Sequence, residues 1–480
     1  MASSVKPIVL YAFAACSCMS AHMALAQGAA KEAAPVKPAA APAPVPADYT
    51  YIVGGDVWTV TKGVIKGGTV AMCGGKIDKV GGPDLKPPEG STVVDARGKI
   101  VTPGFVATSA SLGNAGVAPG GQLRDSLDPY SLSVALAASS GITSVYLSAS
   151  GAGGGRRGGG GGGGGGRFAP QAADTSFSTN NIVIKMAEGD LKGMVAAEST
   201  VTTLNLEAPR GFGGFGGRGG RFGGGAGQGE NGNLSVRWTI QDQLRRAKEY
   251  LAKSNQYDAD KKAGKQATAP TKPTDADVVL PLLKQERLLR VSANTVADIQ
   301  YALKLANEYG IKMVISPATE AWVIADEIAA ARAMLIITTR DRTLPDERRN
   351  TGSGANPDGP GILEKAGVSF AVLPPDTSFS IGGELGRDMM TFALEGSYAM
   401  RGGADAQAAL DSLTITAAKT IGMEGRLGSL EAGKDGDVLI LSGDPLDYRT
   451  FVEKTFINGK LCYDKDTSTF FKDIHPANEK

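Results

Sequence analysis

The central part of the chain alternates short apolar runs with amphipathic helical patterns, and this alternation constrains the fold more than any other feature. In residues 295–309, Val296, Ile299 and Leu303 recur at three- and four-residue spacing, which predicts a helix that ends at Gly310. Further helices are predicted over 319–332, 384–401 and 404–420. Strands are predicted over 100–109, 142–147, 181–185, 288–292, 312–316, 333–338 and 368–373. Strands that alternate with helices predict an α/β fold with a parallel sheet or barrel.

The two ends of this central part are rich in short strands. Strand patterns occupy 51–53, 69–73 and 76–80 near one end and 437–441 and 455–461 near the other. Glycine pairs separate them, and Asn458-Gly459 is a strong hairpin signal. We therefore predict a small composite β-sandwich built from 49–102 and 428–470.

Charge and histidine content narrow the possible functions. The 50 Lys+Arg and 49 Asp+Glu give a formal charge of +1, so the chain has no overall attraction for nucleic acid or anionic membranes, and we expect no nucleic-acid partner. Only two histidines occur, His22 and His475. This count excludes most zinc sites built from imidazoles and most Ser-His-Asp catalysis.

The N-terminus has the pattern of a signal peptide over residues 1–26. Lys6 precedes a short apolar run, and Ala24-Leu25-Ala26 offers a cleavage site before Gln27. An alternative is a lipid anchor at Cys16. Residues 27–48 are rich in Ala and Pro, which predicts a linker. We therefore expect an exported protein, periplasmic or extracellular, without a membrane span.

Glycine is concentrated in two inserts, 151–167 and 210–229, which contribute much of the total of 66. Such runs bury no side chains, so we predict flexible loops outside the core. The second insert interleaves Arg with Phe, and an alternative is that the two inserts bind a partner or polyanion.

Two segments resemble the entry to and exit from the barrel of the amidohydrolase family. The first is 94–106, with Pro103-Gly104-Phe105, and the second is 428–438, with Gly428-Ser429-Leu430-Glu431-Ala432-Gly433. Residues 295–310 and 319–322 are similar to the imidazolonepropionase-like branch. The resemblance implies a (β/α)8 TIM-like barrel over 103–427 and metal-dependent hydrolysis of carbon–nitrogen bonds.

The metal ligands that this resemblance implies are replaced in the sequence. The His-x-His positions carry Ser109 and Ser111, and the later ligand strands carry Ser292, Asn294 and Pro317. Asp376 alone matches the family's last carboxylate. Because zinc needs about three protein ligands, the resemblance implies a degenerate member with no metal and no cofactor.

The leading hypothesis is a non-catalytic binding or assembly protein, a pseudoenzyme. Its barrel mouth would bind a small polar ligand through five side chains: Ser109, Ser111, Ser292, Asn294 and Asp376. The alternative is a residual or metal-independent hydrolase of cyclic amides. In that case Asp376 is the catalytic residue, with Glu320, Asp341 and Lys185 completing a carboxylate site.

Two cysteines remain after the predicted cleavage, Cys73 and Cys462. The family resemblance assigns both to the small β domain. In an exported protein they could form a disulfide, so we predict that they lie close together.

Overall fold

The computed structural model of the protein describes residues 49–112, 122–148, 177–206, 228–346, 352–380 and 387–474. The predicted signal peptide, the linker and the insert 151–167 lie outside these residues. So does most of the second glycine-rich insert, whose last two residues, 228 and 229, instead begin a long helix.

Strands and helices follow one another along the described residues in this chain order. The strands are β1 (Thr50–Trp58), β2 (Val64–Cys73), β3 (Lys76–Gly81), β4 (Thr92–Asp95), β5 (Ile100–Pro103), β6 (Phe105–Ala107), β7 (Ile142–Ser148), β8 (Asn181–Lys185), β9 (Val195–Glu198), β10 (Val201–Asn205), β11 (Leu288–Ala293), β12 (Met313–Pro317), β13 (Met334–Ile337), β14 (Phe370–Val372), β15 (Val438–Leu441), β16 (Val452–Ile457) and β17 (Lys460–Asp464). The α-helices are α1 (Leu132–Ser139), α2 (Leu191–Met194), α3 (Gln228–Lys262), α4 (Ala276–Leu283), α5 (Val296–Tyr309), α6 (Ala325–Ala330), α7 (Gly359–Lys365), α8 (Arg387–Met390), α9 (Ala393–Arg401), α10 (Ala406–Leu413) and α11 (Ile415–Thr420). Short 3-10 helices cover Leu123–Ser126, Ala321–Ile324 and Lys465–Thr467.

Helix α5 confirms the helix predicted over 295–309, and its ends are set by local chemistry. The Thr295 side chain accepts a hydrogen bond from the Asp298 backbone N–H and so caps the start. Gly310 has φ of 68°, a left-handed conformation that glycine adopts without a steric penalty, and it ends the helix.

Strands from the two ends of the described chain form one eight-stranded sheet, in the order β17-β16-β15-β5-β1-β2-β3 with β4 beside β1. The two sets are joined where β5 pairs antiparallel with β15, Val101 opposite Ile440. One face buries a cluster that includes Ile52, Met72 and Phe456. The predicted β-sandwich is not confirmed, because backbone pairing between β5 and β15 fuses the strands into a single sheet.

The central part forms two further sheets, and the predicted closed (β/α)8 barrel is not seen in the described residues. Strands β10 to β14 are all parallel and lie in chain order. The other sheet has the order β6-β7-β8-β9, in which β7 is parallel to β6 but β8 is antiparallel to β7. This reversal interrupts the parallel series that a closed barrel requires.

The two central sheets nevertheless enclose a shared apolar layer. Strands of both sheets each contribute one buried side chain: Val106, Tyr146, Val183, Val201, Val314, Ile336 and Ala371. Ala417, Ala418 and Ile421 of the α11 region pack against this layer. The two central sheets therefore share one apolar interior within a mixed α/β fold.

Cys73 and Cys462 are not joined by a disulfide, so the predicted bridge is wrong for this structure. Cys73 ends β2 and Cys462 lies in β17, which are near opposite ends of the path through the eight-stranded sheet. Burial raises the pKa of the Cys462 thiol to about 11. None of the helices in the described ranges combines the length and the apolar character needed to cross a membrane.

Candidate functional site

A large polar cleft lies at the carboxyl ends of the parallel strands β11 to β14, where α/β proteins usually bind ligands. It encloses about 1520 Å³. Its lining includes Asn294, Pro317, Thr319, Thr338, Arg340, Asp341, Arg342, Pro375 and Asp388. Each comes from a strand end or from the loop or helix that follows it, so the topology of the sheet creates the cleft.

Arg340 is the most strongly bonded side chain of this cleft. Its Nε donates to Glu395 Oε1 at 2.8 Å, and its Nη2 contacts the same carboxylate and lies 2.9 Å from Asp388 Oδ1. The Thr339 hydroxyl donates to Glu395 Oε2 at 2.6 Å. Burial opposes the charge on Arg340, but the hydrogen bonds that it donates to Glu395 and Asp388 outweigh this effect and raise the pKa of the guanidinium. Glu395 is fully buried on α9, so this ion pair fixes β13 to α9.

A second hydrogen-bonded group holds Asp341 at the opening of the cleft. The Thr319 hydroxyl lies 2.8 Å from Asp341 Oδ2 and 3.0 Å from Asn294 Oδ1. Asp341 Oδ1 accepts from the Thr343 backbone N–H and hydroxyl at 2.9 and 2.7 Å. Both oxygens of the Asp341 carboxylate therefore already accept hydrogen bonds from hydroxyls and one backbone amide of the same chain.

Three of the five predicted ligand-binding residues lie at or beside this cleft. Asn294 lines it directly. Ser111 donates its backbone N–H to Thr377 O at 2.8 Å, which places it beside the segment that carries Asp376. Asp376 Oδ1 accepts from Ser378 Oγ at 2.7 Å, and the Asp376 N–H donates to the cleft residue Asp388.

The other two predicted residues do not line the cleft in the described part of the chain. Ser292 lies in β11, opposite Ser316 of β12. Ser109 is half-buried and follows β6 by two residues. The structure therefore brings Asn294, Ser111 and Asp376 to the cleft or its edge and leaves Ser109 and Ser292 outside its lining.

The alternative carboxylate site is not assembled. Glu320 Oε1 accepts from the backbone N–H groups of Ser353 and Gly354, and Oε2 accepts from that of Val296. Lys185 is fully buried and bonds Asp437 at 2.6 Å and Asp435 at 2.9 Å. Because these partners satisfy both groups, Glu320 and Lys185 do not join Asp376 and Asp341 in one site.

Arg290 is a half-buried cation that the sequence did not point to. Its Nη1 donates to Thr108 O at 2.8 Å, and its guanidinium carbon lies 4.8 Å from the centroid of the Tyr146 ring. Burial lowers the pKa of Arg290, and no carboxylate of the described residues forms an ion pair with it. The signal was its position in β11, where a charged residue alternates with the buried residues Leu289 and Val291.

The side chains around the cleft decide whether a metal ion could bind there. Within the described ranges, no three His, Cys, Asp or Glu side chains are grouped closely enough to hold a metal ion. His22 and His475 both lie outside those ranges. The carboxylates at the cleft accept hydrogen bonds from protein groups instead.

Comparison with known proteins supports the fold. Residues 364–462 match the family model described as the amidohydrolase family. The structure is similar to a crystal structure of an amidohydrolase from Thermotoga maritima MSB8, with 23% identity, a TM-score of 0.62, and coverage of 86% of this chain and all of that one. It also matches a Xaa-Pro dipeptidase solved with bound methionine, with 18% identity, a TM-score of 0.48 and coverage of 87% and 100%. No curated protein matches the sequence. The chain is thus an amidohydrolase-like protein, with a family match over its C-terminal part and the fold of a solved amidohydrolase.

Proposed function

We propose that this protein is a non-catalytic member of the amidohydrolase-like group that binds a small polar ligand in the cleft at the ends of β11 to β14. The proposal rests on the hydrogen bonds and ion pairs that the carboxylates at and beside the cleft already make within the protein. Asp388 contacts Arg340, Asp341 accepts from Thr319 and Thr343, and Asp376 accepts from Ser378. A general base must accept a proton from water or substrate, but these carboxylates are held by groups of the same chain.

The donor set also fits a metal centre poorly. Catalytic zinc needs about three ligands among imidazoles, thiolates and carboxylates. The corresponding positions carry Ser109, Ser111, Ser292 and Asn294, and Asp376 already accepts two hydrogen bonds from Ser378. We therefore propose a degenerate metal site. The likeness of 295–310 to the imidazolonepropionase-like branch remains the reason to place the chain within that branch.

The cleft suits a small polar ligand. Asn294 and Thr319 present an amide and a hydroxyl, and Arg342 is an exposed cation at the opening. The ligand would be held by hydrogen bonds and one charge, without any bond being broken.

The experiment measures binding and turnover together. Purified protein is titrated with hydantoin, a cyclic amide, by calorimetry, and ring opening is followed by chromatography. We expect binding without ring opening, and about tenfold weaker binding in Asn294→Ala, since one amide contact is lost. Thr61→Val, which alters an exposed hydroxyl of the eight-stranded sheet, is the matched control.

Two results would favour the alternatives. Ring opening that is abolished by Asp376→Asn, or that needs stoichiometric zinc, would establish the hydrolase. Salt-dependent binding of polyanions that disappears when 151–167 and 210–229 are deleted would favour partner binding through the glycine-rich inserts.

Export remains part of the proposal. It rests on Lys6, the apolar run and Ala24-Leu25-Ala26. N-terminal sequencing of protein recovered outside the cytoplasm should begin at Gln27. An intact Met1, or a lipid-modified Cys16, would contradict this cleavage site.

A further inference from the structure

A second pocket, separate from the polar cleft, lies between the end of α1, the start of α9 and the C-terminal part of the chain. It encloses about 270 Å³. Its walls carry several aromatic side chains, among them Phe105, Phe392, Phe451, Tyr463 and Phe471. This volume lies just below the range of about 300–1,000 Å³ typical of sites for drug-sized ligands, so it suits one aromatic ring with a short substituent.

One cation lines this aromatic pocket. Lys465 is only 7% exposed, and its Nζ lies 5.4 Å from the centroid of the Phe451 ring. No carboxylate within the described ranges lies within ion-pair distance of it. A buried ammonium is costly unless an anion or several hydrogen bonds compensate it.

The nearest carboxylates along the chain have other partners. Asp464, which precedes Lys465, pairs with Lys454 at 2.5 Å. Asp447 lines the pocket, but the hydrogen bonds from Arg449 hold its pKa at about 2 and keep it paired with that side chain. Asp466, which follows Lys465, is exposed. The positive charge in the pocket is therefore available to a ligand.

We propose that this pocket binds a small aromatic carboxylate. The carboxylate pairs with Lys465 Nζ, and the ring packs among Phe105, Phe392 and Phe451. Aromatic walls contribute burial of apolar area and edge-to-face contacts, while the ammonium selects an acid over a neutral compound of the same shape. The site shares no lining residue with the polar cleft, so the inference does not depend on the proposed function.

Phenylacetate is the probe, and phenylacetamide is its neutral counterpart. Binding to the full chain is measured by calorimetry and by ligand-observed NMR. We expect phenylacetate to bind at least tenfold more tightly than phenylacetamide. Lys465→Met, which keeps the length of the side chain and removes the charge, should abolish this preference. Lys472→Met, an exposed lysine on the same segment, should leave it unchanged.

The comparison of the two ligands on the unmodified protein keeps the test valid even if Lys465→Met fails to fold. Equal affinity for the acid and the amide, or no detectable binding of either, overturns the proposal. Binding of phenylacetate that is equal in the unmodified protein and Lys465→Met also overturns it. Binding that appears only after residues 475–480 are removed would assign the pocket to the chain's own C-terminal segment instead.

Discussion

Lys185 Nζ lies 2.6 Å from Asp437 Oδ2, which joins β8 to the residue just before β15 across 252 positions of sequence. The same ammonium contacts Asp435, whose carboxylate also contacts Arg426 and Lys76. Asp437 Oδ1 accepts from the Asn458 N–H at 3.0 Å. One buried network therefore connects a central sheet with the eight-stranded sheet.

Replacing Lys185 by Met should destabilise the protein strongly. It removes the fully buried ammonium and leaves Asp437 without its cation, and breaking a buried pair in this way costs about 3–5 kcal/mol. The measurement is the free energy of unfolding in urea. Lys66→Met is the control, because its pair with Asp56 is largely exposed and should contribute under about 1 kcal/mol. Equal losses in both variants would contradict the structural role.

The same network should make stability fall in acid. Burial opposes the charge on Asp435, but the attraction of Lys185 and hydrogen bonds from Arg426, Lys185 and Lys76 outweigh it and lower its pKa from 3.8 to about 2. A depressed pKa gives stability that is complete above pH ~4 and is lost as pH falls towards 2.

Asp435→Asn tests this pH dependence. The variant should be less stable at neutral pH, and its unfolding free energy should change less between pH 4 and pH 2 than that of the unmodified protein. Asp84→Asn is the control, because Asp84 is exposed and forms no ion pair with a cation of the described residues. An unchanged acid profile in Asp435→Asn would show that another group carries the effect.

Arg340→Met should destabilise the wall of the polar cleft. The variant leaves the fully buried Glu395 with only the Thr339 hydroxyl bond, so we expect a loss of about 3–5 kcal/mol in unfolding free energy. The exposed neighbour Arg342 gives the matched variant Arg342→Met, which should change stability by under about 0.5 kcal/mol. If both variants unfold at the same urea concentration, the ion pair does not stabilise the cleft.

Gly104→Ala tests why glycine occupies the middle of the Pro103-Gly104-Phe105 segment. An added Cβ would lie 2.2–2.3 Å from Thr143 Oγ1 and Cγ2, which requires the strands to shift. Overpacking of this kind costs about 1–3 kcal/mol. Gly82→Ala is the control, since nothing lies within 4 Å of its added Cβ. Thermal unfolding should separate the two variants by several degrees, and matching midpoints would show that the site accommodates a methyl group.

Local signals explain which elements could be predicted. The prediction of a helix over 295–309 is confirmed, because the residues that cap the helix, Thr295 and Gly310, stand directly at its two ends in the sequence. The helix predicted over 319–332 is instead a 3-10 turn followed by the short helix α6. Ile324, the last residue of the 3-10 turn, has φ −124° and ψ 36°, which interrupts the helical backbone. The spacing of apolar residues in 319–332 indicated a helix but did not indicate this break.

Long-range geometry explains what could not be predicted. The direction of β8 depends on how the chain returns to the sheet, and no residue pattern within 181–185 encodes it. The partner of Arg340 is Glu395, 55 positions later on another element, so the charged run around Arg340 gives no local sign of this ion pair. The family resemblance placed the candidate residues at the barrel mouth, and most of the residues that line the cleft were not among them.

The pairing of β5 with β15 has a consequence for biosynthesis. During synthesis, β5 can pair at once with β1, which precedes it in the chain. Its other neighbour is β15, and Val101 can pair with Ile440 only after more than three hundred further residues have been made. Contacts of such long sequence separation slow folding, because the entropy of closing the loop is lost before the contact forms. Until then the edge of β5 has unpaired backbone groups that can pair with another chain. A nascent or truncated chain should therefore require a chaperone or immediate completion to avoid aggregation at this edge.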